Sequence, residues 1–237
     1  MPAEIFTLKA LGTTWWIEIF DGLSHKQRQT IYDSLTLFVQ QFENNYSRFN
    51  PNSLLNKLNQ EGKLENPPAE LVEMIKLSLD LYNDTDRIFN IMVGEKLEND
   101  GYDQKYSFVA KNETVKIPNP HDVINIENNK ITLQSGSIDL GGIGKGYLIN
   151  LLSNLLRNKF GIQYFLINGG GDIYGTSECG KPITIYLEHP TEAETYLATT
   201  EIFNQGFASS SPHKRAWKHG GKSYSHIIDT KQQDTEK

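Results

Sequence analysis

Cysteine is nearly absent from this chain. Cys179 is the only one, in the polar run TSECGKP, so no intrachain disulfide can form and a cysteine-rich metal site is excluded. In that setting it reads as incidental rather than reactive. No apolar run approaches the roughly 18 residues that a bilayer-spanning helix requires. Positive charge does not dominate either. The net charge of −6 argues against a nucleic-acid partner, while leaving room for a local basic pocket. The opening segment, MPAEIFTLKALGTTWW, has Glu4 and Lys9 where a signal peptide needs an apolar centre. The expectation is a cytoplasmic protein as the chain stands, or a periplasmic or membrane-anchored one if a leader is missing. There is no internal repeat and no low-complexity tract. Neither the P-loop spacing G-x-x-x-x-G-K-[ST] nor the dinucleotide fingerprint G-x-G-x-x-G occurs.

What is present fits an ordinary folded protein of 237 residues, one large domain or two small ones. IFTLKALGT and TWWIEIF predict two strands around Gly12, and alternation turns at least one of Trp15 and Trp16 to the core. Residues 24–46 predict a long helix capped by Ser24, with Ile31, Leu35, Phe38 and Phe42 near helical spacing. RFNPNSLLNKLN predicts a turn at Pro51 and a short helix. PPAELVEMIKLSLDLYNDT predicts another helix, with Pro68 near its first position. Beyond residue 110 the texture changes. TVKIP, VINIENNKITLQSG and SIDL read as strands, with ENNK as a hairpin turn. A helix over 145–159 should stop at Gly161. IQYFLING, DIYG, ITIYLEH, TYLATTEIF and GKSYSHIID predict further strands. The class is α+β, in at least two layers.

The most informative stretch is IDLGGIGKGYLIN, residues 138–150, with four glycines in six residues around Lys145. Strand, glycine turn and helix start together let backbone N–H groups and a lysine meet an anion, which suits a phosphate or pyrophosphate. The same residues would also serve as a purely structural turn. Asp139 has two readings: an acceptor for a ligand's hydrogen bonds, or a cap for the turn's own N–H groups. LINGGGDIYG is a second glycine turn, best read as a backbone crossing, with Asp172 placed to help order a site. Three of the six histidines, His213, His219 and His226, fall in FASSSPHKRAWKHGGKSYSHIID. Their spacing suits no zinc motif. His213 and His219 read as part of a solvated hairpin. His226, before IID, suits either a general base on a hydroxyl or a satisfied, partly buried imidazole. Phe49, in YSRFNPNS, suits stacking on a flat ligand or a place in the core.

Taken in order, LGTTW (11–15), SRFNPNSLLNKLN (47–59), FNIMVG (89–94), IDLGGIGKGY (138–147), INGGGDIYG (167–175) and SHIID (225–229) resemble the ApbE family of FAD:protein FMN transferases. The likeness spans residues 1–237 as one ApbE-like domain, and implies mixed β-sheets packed with helices in a single globular unit. It implies Mg²⁺-dependent cleavage of the FAD pyrophosphate, transfer of FMN to a Thr or Ser hydroxyl of an acceptor protein, and release of AMP. FAD hydrolysis, FAD binding without transfer, and an inactive truncated remnant are the alternatives. By motif position, Leu11 and Phe49 should line the flavin site. Ile88, Phe89 and Asn90 should contact FAD, as should Asp139 and Lys145, and Ile227 should pack against it. The Gly142 carbonyl should be one Mg²⁺ ligand, and His226 the base toward the acceptor hydroxyl. Three departures stand out: Asn90 and Asn150 where the family commonly has Asp, and an end at TKQQDTEK where the family continues with a Pro-x-Thr-Gly-type turn, a strand and an Ala-Asp-rich helix. That helix brings the remaining Mg²⁺ ligands. Without it, a sheet edge and apolar surface should be uncovered and the metal under-liganded. Asp234 and Glu236 read as a frayed terminus rather than substitutes.

Overall fold

The structure, a computed structural model, describes residues 3–111, 113–177, 180–189, 191–192, 194–210 and 216–230. Cys179, His213, Asp234 and Glu236 lie outside the described residues. The α+β class is observed. Every strand pairing is antiparallel among the described residues, where mixed sheets were expected. The chain gathers into two compact units, each discontinuous in sequence: residues 1–41 with 145–210, and residues 42–144 with 211–237.

The first unit begins with β1 (Glu4–Ala10) and β2 (Thr13–Ile19), an antiparallel pair turning at Leu11 and Gly12. Strict alternation puts Phe6, Leu8, Ala10, Trp15, Ile17 and Ile19 on the buried face. Trp16 is exposed on the other face, so the tryptophan pair divides as the alternation requires. The next element, α1 (His25–Tyr46), starts with a reciprocal cap. Ser24 Oγ accepts from Gln27 N–H, and the Gln27 side chain accepts from Ser24 N–H.

In the second unit, α2 (Leu54–Glu61) is capped by Ser53 and ends at Gly62 in the left-handed region. It leads into β3 (Lys63–Glu65) and α3 (Ala69–Asp84). Pro68 is the residue before the first helical turn of α3, not the first within it. Tyr46, buried at the end of α1, hydrogen-bonds Glu70. Burial, then the nearby carboxylate and that bond, push its phenol up to about 12. A 3₁₀ turn (Ile91–Val93) runs into α4 (Gly94–Asn99). After α5 (Pro120–Val123), β4 (Ile124–Glu127) and β5 (Lys130–Leu133) form the expected hairpin, and β3 pairs with β5. Asn128 and Asn129 sit at φ 49° and 58°, the pair of left-handed residues that such a two-residue turn demands.

Two expected strands do not form. TVKIP is irregular. SIDL is extended but joins no sheet, because a side chain takes the partner strand's place: Asn59 Nδ2 donates to Ile138 O (2.9 Å) and Asn59 Oδ1 accepts from Ile138 N–H (2.9 Å). Gly94 N–H donates to Ser137 O, and Asp139 N–H to Ile91 O.

The chain re-enters the first unit through α6 (Gly144–Phe160), which ends as expected at Gly161. Bonds from Gly161 N–H to Arg157 O and from Ile162 N–H to Leu156 O close its last turn. Strands β6 (Phe165–Gly169) and β7 (Ile173–Thr176) follow, then the ribbon β8 (Ile183–Glu188) and β9 (Tyr196–Ile202), and β10 (Gln205–Phe207). The sheet order is β1-β2-β6-β7-β10. A small core of Leu166, Ile185 and Ile202 packs with Phe20, Ile173, Ile183 and Phe207. The second unit closes with the hairpin β11 (Ala216–His219) and β12 (Lys222–Ser225), whose Trp217 packs with Leu97 and Tyr102.

Candidate functional site

The glycine turn at 139–144 is largely satisfied from within. Asp139 Oδ1 accepts from Gly141 N–H (2.7 Å), and the N–H groups of Ile143 and Gly144 return to Leu140 O. The capping reading of Asp139 is therefore realised for one oxygen. Its other oxygen accepts from Arg48 Nε at 2.7 Å. Gly142 is exposed, and a Cβ there would stand 2.9 Å from Phe89 Cε2, so the absent side chain is what lets Phe89 lie against the turn.

Arg48 is the residue that the sequence reading passed over. Its side chain is 1% exposed. Besides Asp139 it donates to Tyr102 O (2.9 Å) and reaches Glu98 Oε1 (3.3 Å). The guanidinium carbon lies 4.6 Å from the Phe49 ring centre. Its own carbonyl accepts from Asn56 Nδ2 (2.6 Å). A buried guanidinium needs this many partners, since its charge can neither be shed nor solvated there. The only sequence signal was its place between Ser47 and Phe49 inside a quoted motif.

Around Arg48 the second unit gathers several predicted residues. Phe49 is half-buried, edge-on to Tyr102 at 5.3 Å and stacked on Tyr106 at 4.7 Å. Tyr102 stacks on Trp217 (5.9 Å) and lies 6.3 Å from the His226 ring. His226 follows β12 directly and is partly buried. Asn90 acts as a cap. Its Oδ1 accepts from Met92 N–H and its Nδ2 donates to Pro118 O (3.1 Å), a donation that an ionised Asp could not make. Ile88 and Ile227 are exposed, and the Thr230 hydroxyl reaches the carbonyls of Arg87 and Ile88. His219, expected in a solvated hairpin, accepts from Ala110 N–H through Nδ1 (3.2 Å).

The other two predicted residues belong to the first unit. Leu11 holds φ 49° in the β1–β2 turn. Lys145 Nζ pairs with Asp172 Oδ2 at 3.1 Å. At the second glycine turn the close neighbours are side chains rather than a crossing backbone: Gly170 holds φ +73°, and a Cβ there would run into the Thr13 side chain.

Among the described residues, no group of three His, Cys, Asp or Glu could hold a metal ion, and no helix is long and apolar enough to cross a membrane.

The chain is similar to known proteins over most of its length. The FAD:protein FMN transferase of Klebsiella pneumoniae (strain 342) is 23% identical over 96% of this chain and 70% of its own length. That of Escherichia coli (strain K12) is 22% identical over 93% and 67%. Among solved structures, the ApbE protein of Thermotoga maritima superposes with a TM-score of 0.80 at 20% identity, covering 98% of this chain and 77% of that one. The apo form of the Pseudomonas stutzeri flavinyl transferase ApbE gives 0.76 at 20% identity, covering 98% and 75%. The sequence model of the ApbE family matches residues 11–236, and the chain belongs to that family.

Proposed function

We propose that this protein is a transferase that moves FMN from FAD to a Thr or Ser hydroxyl of an acceptor protein and releases AMP. The observation that carries the reading is the union of family membership with the Arg48 cluster, which holds the Phe49 ring and the Asp139 carboxylate on one buried cation, with the His226 imidazole beside Tyr102. Phe49 and Phe89 supply aromatic rings to line the flavin. Asp139 keeps acceptor capacity on oxygens that Arg48 and Gly141 hold in place. Lys145 offers a positive charge to the pyrophosphate, and Asp172 sets its position. Leu11, Ile88, Asn90 and Ile227 complete the FAD contacts.

The step is a substitution at phosphorus. The acceptor oxygen bonds to the FMN phosphorus as the bond to the AMP phosphate oxygen breaks. The hydroxyl proton passes to His226, and AMP departs with the electron pair. No water enters.

Mg²⁺ belongs to the proposed reaction, with the Gly142 carbonyl as one ligand. The described residues do not by themselves fit a cation. Asp139 is engaged by Arg48 and Gly141, and no acidic cluster accompanies Gly142.

Chromatography of a reaction holding FAD, Mg²⁺ and candidate acceptors tests the reading. AMP should appear in step with acceptor-bound flavin. Release of free FMN and AMP without an acceptor would select hydrolysis instead.

A further inference from the structure

We propose that Tyr106 is a ligand-stacking residue: a planar ring bound on Phe49 enters between these two aromatics, Phe49 forming the fixed wall and Tyr106 the movable one. The inference rests on the flavin reading above and adds a residue that no motif contains.

The two rings are parallel to within 10°, with centres 4.7 Å apart. That is contact distance for two rings and leaves no room for a third. A flat ring needs about 3.5 Å on each side, so the walls must stand about 7 Å apart. One of them must therefore shift by one ring thickness, ~3.5 Å, before anything planar can lie on this face of Phe49.

The two walls differ in how they are held. Phe49 adjoins buried Arg48, whose guanidinium lies against its ring, and Tyr102 meets it edge-on. Its N–H also donates to Ser47 Oγ. Tyr106 is 39% exposed and rides on a surface loop. The loop is organised by Asp103, whose Oδ1 accepts from the N–H groups of Lys105 and Ser107 and whose Oδ2 accepts from the Ser107 hydroxyl. Tyr106 N–H donates to Asp103 O, and Phe108 N–H to Gly101 O. These bonds run within residues 101–108 and travel with the loop, whose ties to the fixed wall are Arg48 Nη2 donating to Tyr102 O at its start and a long bond from Gln104 Nε2 to Arg48 O (3.4 Å). Tyr106 and Phe108 hold φ of 49° and 53°. Bulky residues take that conformation at a cost, and here it aims the Tyr106 ring at Phe49.

Opening a parallel pair by one ring thickness keeps both faces in use. Expelling Tyr106 would forfeit one. An isoalloxazine has the flat, wide surface to fill such a slot, and AMP, which lacks the flavin, distinguishes that ring from the adenine.

Fluorescence and calorimetric titrations with FAD and with AMP separate the outcomes, using wild type, Phe49→Ala, Tyr106→Ala and Tyr106→Phe. Tyr106→Ala should weaken FAD binding about 3- to 10-fold and leave AMP binding unchanged. Tyr106→Phe should stay within about twofold of wild type, since the ring alone stacks. FAD binding by Tyr106→Ala that is unchanged or tighter overturns the inference, as does an equal loss for AMP. If Phe49→Ala weakens FAD while Tyr106→Ala does not, the inference falls and the flavin reading stands. If wild type binds no FAD, both fall.

Discussion

Replacing Arg48 by alanine is expected to destabilise the protein by about 3–5 kcal/mol. The magnitude follows from what is stranded. Asp139, with its side chain 11% exposed, loses a 2.7 Å charge-assisted bond and keeps only the Gly141 N–H. The Tyr102 carbonyl loses its donor, a further loss of about 1–3 kcal/mol for a buried acceptor. Glu98 is 38% exposed and solvates readily, so its share is small. Lost contact with Phe49 and Tyr102 adds to the total. These contributions overlap, and the value for breaking a buried pair bounds them. For a chain of this length, thermal unfolding should fall by about 6–20 °C. The double variant Arg48→Met with Asp139→Asn removes both charges and should be clearly more stable than Arg48→Met alone, since no carboxylate is left unpaired. Denaturant melts followed by tryptophan fluorescence read all three variants. An Arg48→Ala protein within about 1 kcal/mol of wild type would refute the account of Arg48 as the hub.

Three further outcomes are expected. Gly170→Ala should destabilise by about 1–3 kcal/mol, because φ is +73° and the new Cβ meets Thr13; adding Thr13→Ala should recover the steric part only, as read by thermal melts. Burial raises the Glu18 carboxyl above 4.5, so its favourable contribution is complete below 4.5 and disappears as pH climbs through the raised value. Glu18→Gln should therefore stabilise at neutral pH and lose that advantage at pH about 4, in melts run at both. For Asp103, burial works to raise the carboxyl, but hydrogen bonds from Ser107 and Lys105 and the charge of Lys111 outweigh it and hold it below 3.8. Loop order is then complete above 3.8 and fades as pH drops through the lowered value, a loss visible in amide exchange at Lys105 and Ser107.

Much of the fold was legible because local chemistry agrees with it. The Ser24 cap, the Gly161 stop and the Asn-Asn hairpin each rest on one residue whose conformational preference decides the outcome. The SIDL strand was misread because nothing local distinguishes a ladder from Asn59 imitating one across 79 positions. The candidate site divides the same way. Phe49, Asp139 and Lys145 sit in motifs, whereas Tyr102, Tyr106 and Trp217 carry no periodicity and meet only through tertiary packing. Arg48 was hidden by habit of another kind, since arginine is ordinarily a surface residue. Contact with Asp139 lies 91 positions away.

Transfer of FMN is read most directly from the intact mass of an acceptor protein incubated with this chain, FAD and Mg²⁺. Flavin transfer should give a gain equal to FMN less one water, absent when the acceptor's Thr or Ser is replaced by alanine and lost with His226→Ala. No gain on any hydroxyl-bearing acceptor, from protein that binds FAD, would contradict it.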